Sequence, residues 1–272
     1  MQAHTQVVAV PTAADAWTSF TDIMVPAGAK SLKKVIVGVA VDEADPAGVR
    51  FAPVFRLLGS GLLEQSPHEY LGPAGNIAAK TTSGAYASEL NVVEHDVDIP
   101  VATGGTITPQ VITLDEAMTA GTCSICLIFS EAEAEAANSM STYIDAAMTT
   151  TAGAWAAVGT ITIPQMAAGK APTRIIELAM MIATDQATIA LLRCASRFRL
   201  TGSGIAEGGL HEYLGPQSGT GASTAGILGY SHQMVKLKTE IPVNAGGQIL
   251  VEQFLTTETP TAGTAALGMM FR

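Results

Sequence analysis

The sequence predicts an all-β protein built from two tandem eight-stranded jelly-roll-like β-sandwiches that are related by an internal duplication. Three observations lead to this prediction: a hexapeptide that occurs twice, short segments of alternating apolar and polar residues, and turns rich in Gly, Pro and Thr between them. Alternation with a period of two is the pattern of a strand with one buried face. Many short strands of this kind are typical of a sandwich or barrel.

The repeated hexapeptide is His-Glu-Tyr-Leu-Gly-Pro, and the second copy begins 143 positions after the first (211 minus 68). The residues concerned are His68, Glu69, Tyr70, Leu71, Gly72, Pro73, His211, Glu212, Tyr213, Leu214, Gly215 and Pro216. The flanking Phe-Arg-Leu at 55–57 recurs at the same offset at 198–200. A period of this length indicates a duplicated domain, because the repeats of solenoid proteins run about 20–50 residues.

Each half of the chain supplies about eight strand segments. In the first half they are a short strand before Pro11 and the segments 17–25, 32–41, 49–58, 68–71, 90–99, 106–114 and 122–129. The second half repeats this pattern through residue 271. Residues 35–41 and residues 175–182 are apolar at both odd and even positions, so we expect both faces of these two strands to be buried.

The repeat divides the chain into a first domain at residues 1–137 and a second domain at residues 138–272. The first domain ends with an acidic linker at 131–137. Residues 131–138 read Glu-Ala-Glu-Ala-Glu-Ala-Ala-Asn, and Ala and Glu are good helix formers. We therefore predict a short helical piece where the two halves join.

The composition predicts a large buried contact. Apolar residues make up 48% of the chain and charged residues 14%, against about 25% charged residues in typical soluble domains. So few charges leave little polar surface to coat two separate domains, and we expect contact between the halves or between chains. The net charge of −10 lies in residues 1–137, which hold 16 acidic and 6 basic residues, whereas residues 138–272 hold 8 of each.

Several classes of function are disfavoured by the same composition. No run of Lys and Arg occurs, so we expect no direct nucleic-acid partner. The apolar runs are far shorter than the ~18 residues of a membrane helix, and residues 1–15 lack the pattern of a secretory signal. Three cysteines, Cys123, Cys126 and Cys194, cannot all pair, which suggests a structure that does not depend on disulfides.

The hexapeptide is the pattern with the most chemical potential, since a His beside a Glu can bind a metal or move protons. Neighbouring residues of a strand point to opposite faces, however, and no third ligand lies nearby in the sequence. We expect no catalytic, cofactor-binding or metal-binding residue, no cofactor and no enzymatic activity. Tyr70 and Tyr213 are instead predicted to be equivalent buried anchors whose rings fill the end of each sandwich.

The duplication marked by residues 68–73 and 211–216, the strand count and the chain length resemble the double jelly-roll major capsid proteins of icosahedral viruses. The resemblance implies a virion protein whose homotrimers present six jelly rolls as a pseudo-hexagon that tiles the shell. It further implies neighbouring capsomers, penton or minor capsid proteins as partners, and an internal membrane beneath many such shells. Here the loops between strands are short, which implies a compact member without tall surface loops.

Two alternatives remain at this point. One is another virion component, a decoration or spike protein built from two sandwiches. The other is a secreted tandem carbohydrate-binding module, whose aromatic platforms would have to use Trp17 and Trp155 at matched positions of the repeat.

Overall fold

The structure is a computed structural model, and ten segments of it are described. They are residues 1–43, 49–64, 67–77, 87–114, 120–135, 140–163, 171–185, 192–220, 233–256 and 262–272. Within these segments the regular elements are β-strands, and no helix is present. None of the described residues forms a helix long and apolar enough to cross a membrane. The prediction of an all-β protein is confirmed.

Within the described residues, the first sandwich contains ten strands in two antiparallel sheets. They are β1 (Gln2–Ala9), β2 (Thr18–Ser19), β3 (Ile23–Met24), β4 (Ser31–Glu43), β5 (Val49–Leu58), β6 (His68–Leu71), β7 (Gly75–Ile77), β8 (Ala87–Pro100), β9 (Thr106–Leu114) and β10 (Ala120–Ser130). Sheet I has the order β1-β10-β4-β8. Sheet II has the order β2-β9-β5-β6, with β3 also paired to β9 and β7 to β5.

The described part of the second sandwich contains eight strands in the same arrangement. They are β11 (Met140–Ala147), β12 (Trp155–Thr162), β13 (Arg174–Asp185), β14 (Leu192–Thr201), β15 (His211–Thr220), β16 (Gln233–Pro242), β17 (Gln248–Leu255) and β18 (Ala262–Phe271). Sheet III has the order β11-β18-β13-β16, and sheet IV has the order β12-β17-β14-β15. In the first domain, β2 with β3 and β6 with β7 each form one interrupted strand. When the strands of each domain are numbered 1 to 8 in chain order on this basis, both domains have one sheet of order 1-8-3-6 and one of order 2-7-4-5, which is the jelly-roll order.

The two copies of the hexapeptide occupy the same place in this topology. His68 pairs with Leu57 between β6 and β5, and His211 pairs with Leu200 between β15 and β14. Each residue of the second pair lies 143 positions after its counterpart in the first pair, as the duplication requires. The prediction of two jelly-roll-like sandwiches from one duplicated unit is therefore confirmed at the level of strand register.

Each sandwich has its own apolar core, and a third core lies between the domains. The sequence predicts that both faces of β4 and of β13 are buried, and the structure confirms this for β13 alone. In β13 the residues of both faces are buried, including Met180 on one face and Met181 on the other. In β4 the outward residues Ile36 and Ala40 are only half-buried, because the first domain packs on β13 whereas no described residue packs over the outer face of β4 to the same extent.

The prediction of a helix over residues 131–138 is wrong for residues 131–135, and residues 136–138 lie outside the described part of the chain. Residues 131–135 are irregular and are held by contacts to the first domain: Ser31 Oγ donates to Ala132 O at 2.8 Å, and the Glu135 backbone N–H donates to Asp98 Oδ2 at 2.7 Å. Isolated helices shorter than about 12 residues are marginal in water, and like charges four residues apart destabilise them further. The predicted boundary at 137/138 lies outside the described residues.

Candidate functional site

The candidate site is the contact between the two domains. The outer face of sheet II in the first domain packs on the outer face of sheet III in the second. Its buried apolar residues are Ala52, Val54, Leu71, Ala74, Ile112 and Leu114 from the first domain and Ala179, Met181, Ala183 and Ala266 from the second. Five of these ten residues are alanines, which allow the two sheet faces to approach closely, and the tandem domains share a continuous apolar contact.

The first hexapeptide lies inside this contact. His68 and Tyr70 point into the first sandwich and are buried. Leu71 points the opposite way, into the contact, and is 1% exposed. Glu69 is half-buried and its Oε2 accepts a hydrogen bond from Thr142 Oγ1 of the second domain at 3.3 Å. Burial raises the pKa of the Glu69 carboxyl, and this hydrogen bond opposes the rise.

The repeated glycine has a packing reason that links the hexapeptide to the Phe-Arg-Leu flank. A Cβ on Gly72 would lie 2.6 Å from Phe55 Cε2, and a Cβ on Gly215 would lie 2.8 Å from Phe198 Cδ2. Both distances are far below a van der Waals contact. The chain can pass over each phenylalanine ring only with glycine at this position, which explains why the two motifs recur together.

The second hexapeptide has a different environment from the first. Leu214 is 74% exposed, and Tyr213 and His211 are half-buried. The prediction that Tyr70 and Tyr213 are equivalent buried anchors is therefore wrong for Tyr213. Tyr213 packs against the core of the second sandwich but is only partly buried there. On the opposite face of β15, Leu214 faces solvent, whereas the second domain covers the equivalent face of β6.

A polar cluster crosses the domain contact beside Leu71. His95 on β8 is 2% exposed; its Nε2 donates to Leu71 O at 2.9 Å, and its Nδ1 lies 3.5 Å from Glu177 Oε1 of the second domain. Glu177 Oε1 also lies 3.0 Å from Lys236 Nζ, which donates to the backbone carbonyl of Glu94. The buried carboxylate is thus compensated by a lysine of its own domain.

The pKa values in this cluster shift for identifiable reasons. Burial lowers the pKa of His95, and the nearby Lys236 lowers it further, against the raising effect of Glu177. Burial would raise the pKa of Glu177, but the contact with His95 and the charge of Lys236 outweigh that effect and lower it. Because Nε2 donates to Leu71 O, Nδ1 carries no proton when the imidazole is neutral, so Lys236 supplies the charge that compensates Glu177 in this site.

Charged residues form the rim of the contact. Lys238 Nζ of the second domain lies 3.7 Å from Asp96 Oδ2 of the first, and Lys34 Nζ lies 3.3 Å from Asp96 Oδ1. A cleft of about 240 Å³ opens here between the domains. The charged residues that line it are Asp96, Asp98, Glu177, Lys238, Glu240 and Arg272. Acidic and basic groups therefore face each other across the cleft.

The first histidine of the hexapeptide lies beside a buried carboxylate. His68 Nε2 lies 3.9 Å from Glu64 Oε2 inside the sandwich, and burial lowers the pKa of His68 to about 4, so the ring is neutral near pH 7. In the part of the chain that the structure describes, no group of three or more His, Cys, Asp or Glu side chains could hold a metal ion. Burial raises the pKa of the Cys123 thiol to about 12, which keeps it protonated.

The two tryptophans are covered by arginine. The guanidinium carbon of Arg56 lies 3.9 Å from the ring centre of Trp17, and that of Arg199 lies 4.3 Å from the ring centre of Trp155. These cation–π contacts recur at the repeat positions and occupy one face of each ring. Each tryptophan is therefore half-buried and has one ring face in contact with an arginine.

Fold and contact together define a tandem jelly-roll protein in which one domain docks on the next through unlike sheet faces. No protein-family model matches the sequence, and no curated protein matches it. Among solved structures the chain is similar to PNGF-II, with a TM-score of 0.45 and 8% identity over 97% of this chain. The chain spans 64% of the length of PNGF-II.

Two further structures show the same type of similarity. The structure of infectious bursal disease virus, Gx strain, has a TM-score of 0.29 and 7% identity, covering 99% of this chain and 72% of the viral chain. The CBM22-1–CBM22-2 tandem domain of Paenibacillus barcinonensis Xyn10C has a TM-score of 0.25 and 8% identity, covering 99% of this chain and 92% of the other. These similarities concern the fold alone.

The polar residues at the domain contact were missed by the sequence analysis. His95, Glu177 and Lys236 stand where the duplication is not faithful: their repeat counterparts are Leu237, Lys34 and Glu94. The strand pairing supports this correspondence, since Lys34 lies opposite Asp96 as Glu177 lies opposite Lys238. A change of residue class at a position of an otherwise faithful repeat was the signal that could have identified them.

Proposed function

We propose that this protein is a viral major capsid protein whose homotrimers present six jelly rolls as a pseudo-hexagon and tile an icosahedral shell. The observation that carries the proposal is the contact of unlike faces within the chain. Sheet II of the first domain covers sheet III of the second, and this leaves the equivalent faces, sheet IV and sheet I, at the two ends of the tandem.

Both end faces carry exposed apolar residues at positions that are buried or packed in the contact. Leu214 on sheet IV is the repeat counterpart of the buried Leu71. Val92 on sheet I is 64% exposed and is the counterpart of Met234, which packs on the apolar core of the contact. Each end face therefore keeps part of the apolar pattern of one side of the existing contact, although Arg197 and Thr256 replace Val54 and Leu114 on sheet IV. The sheet IV face of one chain can dock on the sheet I face of the next.

Head-to-tail docking of this kind closes into a ring when the rotation per domain is suitable. Steps of roughly 60° close after six domains, which is three chains, and an obligate ring would bury roughly 2,000 Å² or more per interface. Such a trimer is the unit that tiles a shell next to neighbouring capsomers, with penton or minor capsid proteins at special positions and an internal membrane as a further layer. The virion is accordingly the proposed location.

The covered tryptophans support a structural role over a carbohydrate-binding one, since Arg56 and Arg199 lie over the rings that a sugar platform would use. A structural role also agrees with the low charge content and with the neutral, buried His68. A non-enzymatic function is part of the proposal.

The mass of the purified full chain in solution tests the proposal. Sedimentation at micromolar concentration is expected to give three times the chain mass of 27.9 kDa, and electron microscopy of concentrated protein is expected to show pseudo-hexagonal particles or sheets. Leu214→Lys should fold normally and remain monomeric, whereas Leu63→Lys, a 60% exposed leucine in a loop at the end of the sandwich, should still assemble. A wild-type chain that stays monomeric would refute the trimer.

A further inference from the structure

Two strands that the duplication makes equivalent carry opposite charges. On β8 the outward residues are Glu94 and Asp96, and at the same positions of β16, 142 residues later, they are Lys236 and Lys238. The neighbouring strands show the same inversion, because β4 places a lysine opposite Asp96 and β13 places Glu177 opposite Lys238. The charge pattern of the sheet I edge is thus reversed in sheet III.

Within one chain these inverted strands meet. Lys238 Nζ lies 3.7 Å from Asp96 Oδ2, and Lys236 donates to the backbone carbonyl of Glu94. The acidic edge of the first domain therefore lies over the basic outer face of the second. The Asp96 and Lys238 side chains are 57% and 81% exposed, so each remains accessible to a further partner.

We propose, on the basis of the assembly proposed above, that a second copy of this chain docks through the same charge pair with the roles exchanged. The β16 edge of one chain lies over the sheet I face of the next, and Lys238 of the first again faces Asp96 of the second. A contact between two first domains would place Asp96 against Asp96, and a contact between two second domains would place Lys238 against Lys238. The inversion therefore selects alternating domains around the ring.

The charge inversion between β8 and β16 affects the choice of the neighbouring domain more than the affinity for it. An exposed ion pair contributes little by itself, but a like-charge contact disfavours the wrong neighbour, and a ring repeats the penalty at each interface. Because the groups are exposed, the selection should weaken at high salt, where the Debye length falls to about 3 Å at 1 M. The order of the domains around the ring therefore depends on a few charged residues whose sign differs between the two copies of the repeat.

Charge reversal in the full chain tests the proposal. Lys238→Asp should raise the concentration for half-assembly about tenfold at 50 mM salt and much less at 1 M salt. Asp96→Lys should do the same, with an added effect from the nearby Lys34. The double variant Asp96→Lys/Lys238→Asp restores opposite charges and should assemble within about threefold of the wild type. Glu240→Lys is the matched control for an exposed charge at the edge of the cleft, where Glu240 pairs with Arg174.

Mixing the two single variants shows whether the pair acts between chains. A mixture offers Lys238 of one chain to Asp96 of the other variant, while the contacts within each chain stay mismatched, so partial recovery of assembly is expected. No recovery on mixing, or equal assembly of Lys238→Asp and the wild type at low salt, overturns the inference. Those outcomes leave the proposed function intact, whereas a wild-type chain that never assembles refutes both.

Discussion

Leu71 packs across the domain contact against Gly268, so closely that a Cβ on Gly268 would lie 3.3 Å from Leu71 Cγ. Leu71 comes from β6 of the first domain and Gly268 from β18 of the second. The pair fixes how near the two sheets can approach, since a side chain at 268 would require Leu71 to shift. The hexapeptide thus acts through its leucine at the contact as well as through its tyrosine in the sandwich core.

The first prediction compares the two leucines of the repeat. Leu71→Ala should lower the free energy of unfolding by about 2–5 kcal/mol, because it removes a fully buried side chain from the contact and leaves a cavity. Leu214→Ala should change the stability of the monomer by about 0.5 kcal/mol or less, since that residue is 74% exposed. Chemical denaturation of both variants, at a concentration where the chain is monomeric, measures the difference. Equal losses would show that Leu71 is not held in the contact.

The second prediction concerns the two tyrosines. Tyr70→Ala should cost about 3–5 kcal/mol of stability, the range for a large buried aromatic side chain, because Tyr70 fills the core beside His95 with a ring separation of 5.1 Å. Tyr213→Ala should cost clearly less, because its ring is only half-buried. Thermal unfolding of the two variants side by side checks the order, and a larger loss for Tyr213→Ala would contradict it.

The strand order and register were predictable because they depend on local signals that both copies share. Alternation, turn residues and the Phe–Gly contact recur with the repeat, so the same jelly roll forms twice. The different environments of Leu71 and Leu214 were not predictable from those two residues, since they are identical in the sequence. Burial there depends on whether another domain packs against that face of the strand.

The neighbours of the two leucines did carry a signal. The contact residues Val54 and Leu114 have Arg197 and Thr256 as their repeat counterparts, so the first copy has an apolar outer sheet and the second a more polar one. Residues 131–135 are not helical for a different reason. A short alternating Glu-Ala segment gains little free energy from helix formation. In its irregular conformation the segment makes hydrogen bonds with Ser31 and Asp98.

The third prediction is a loss of stability at acid pH that depends on His68. Its pKa in the folded protein is about 4, below the ordinary value of 6.5, because burial disfavours the charged form. The unfolded chain therefore binds the proton first, so the stability is fully present above pH 6.5 and falls as the pH drops towards 4. The loss at pH 4 is on the order of 3 kcal/mol.

Denaturation curves between pH 7 and pH 4 test the role of His68. His68→Gln should flatten the decline, whereas His211→Gln should leave most of it, because the second ring is only half-buried. A smaller decline in the same direction should persist in both variants, since burial also lowers the pKa of His95. An unchanged pH profile in His68→Gln would contradict the prediction.

The last prediction concerns Glu177, which joins the two domains through His95 and Lys236. Glu177→Ala removes the acceptor that compensates Lys236 in a largely buried site, and loss of one partner of a buried ion pair costs about 3–5 kcal/mol. Because Lys236 retains some contact with solvent and with the Glu94 carbonyl, the loss should lie near 3 kcal/mol. Glu240→Ala is the matched control: its pair with Arg174 is exposed, and its loss should cost at most about 1 kcal/mol. If both variants unfold at the same denaturant concentration, the cluster at His95 does not hold the domains together.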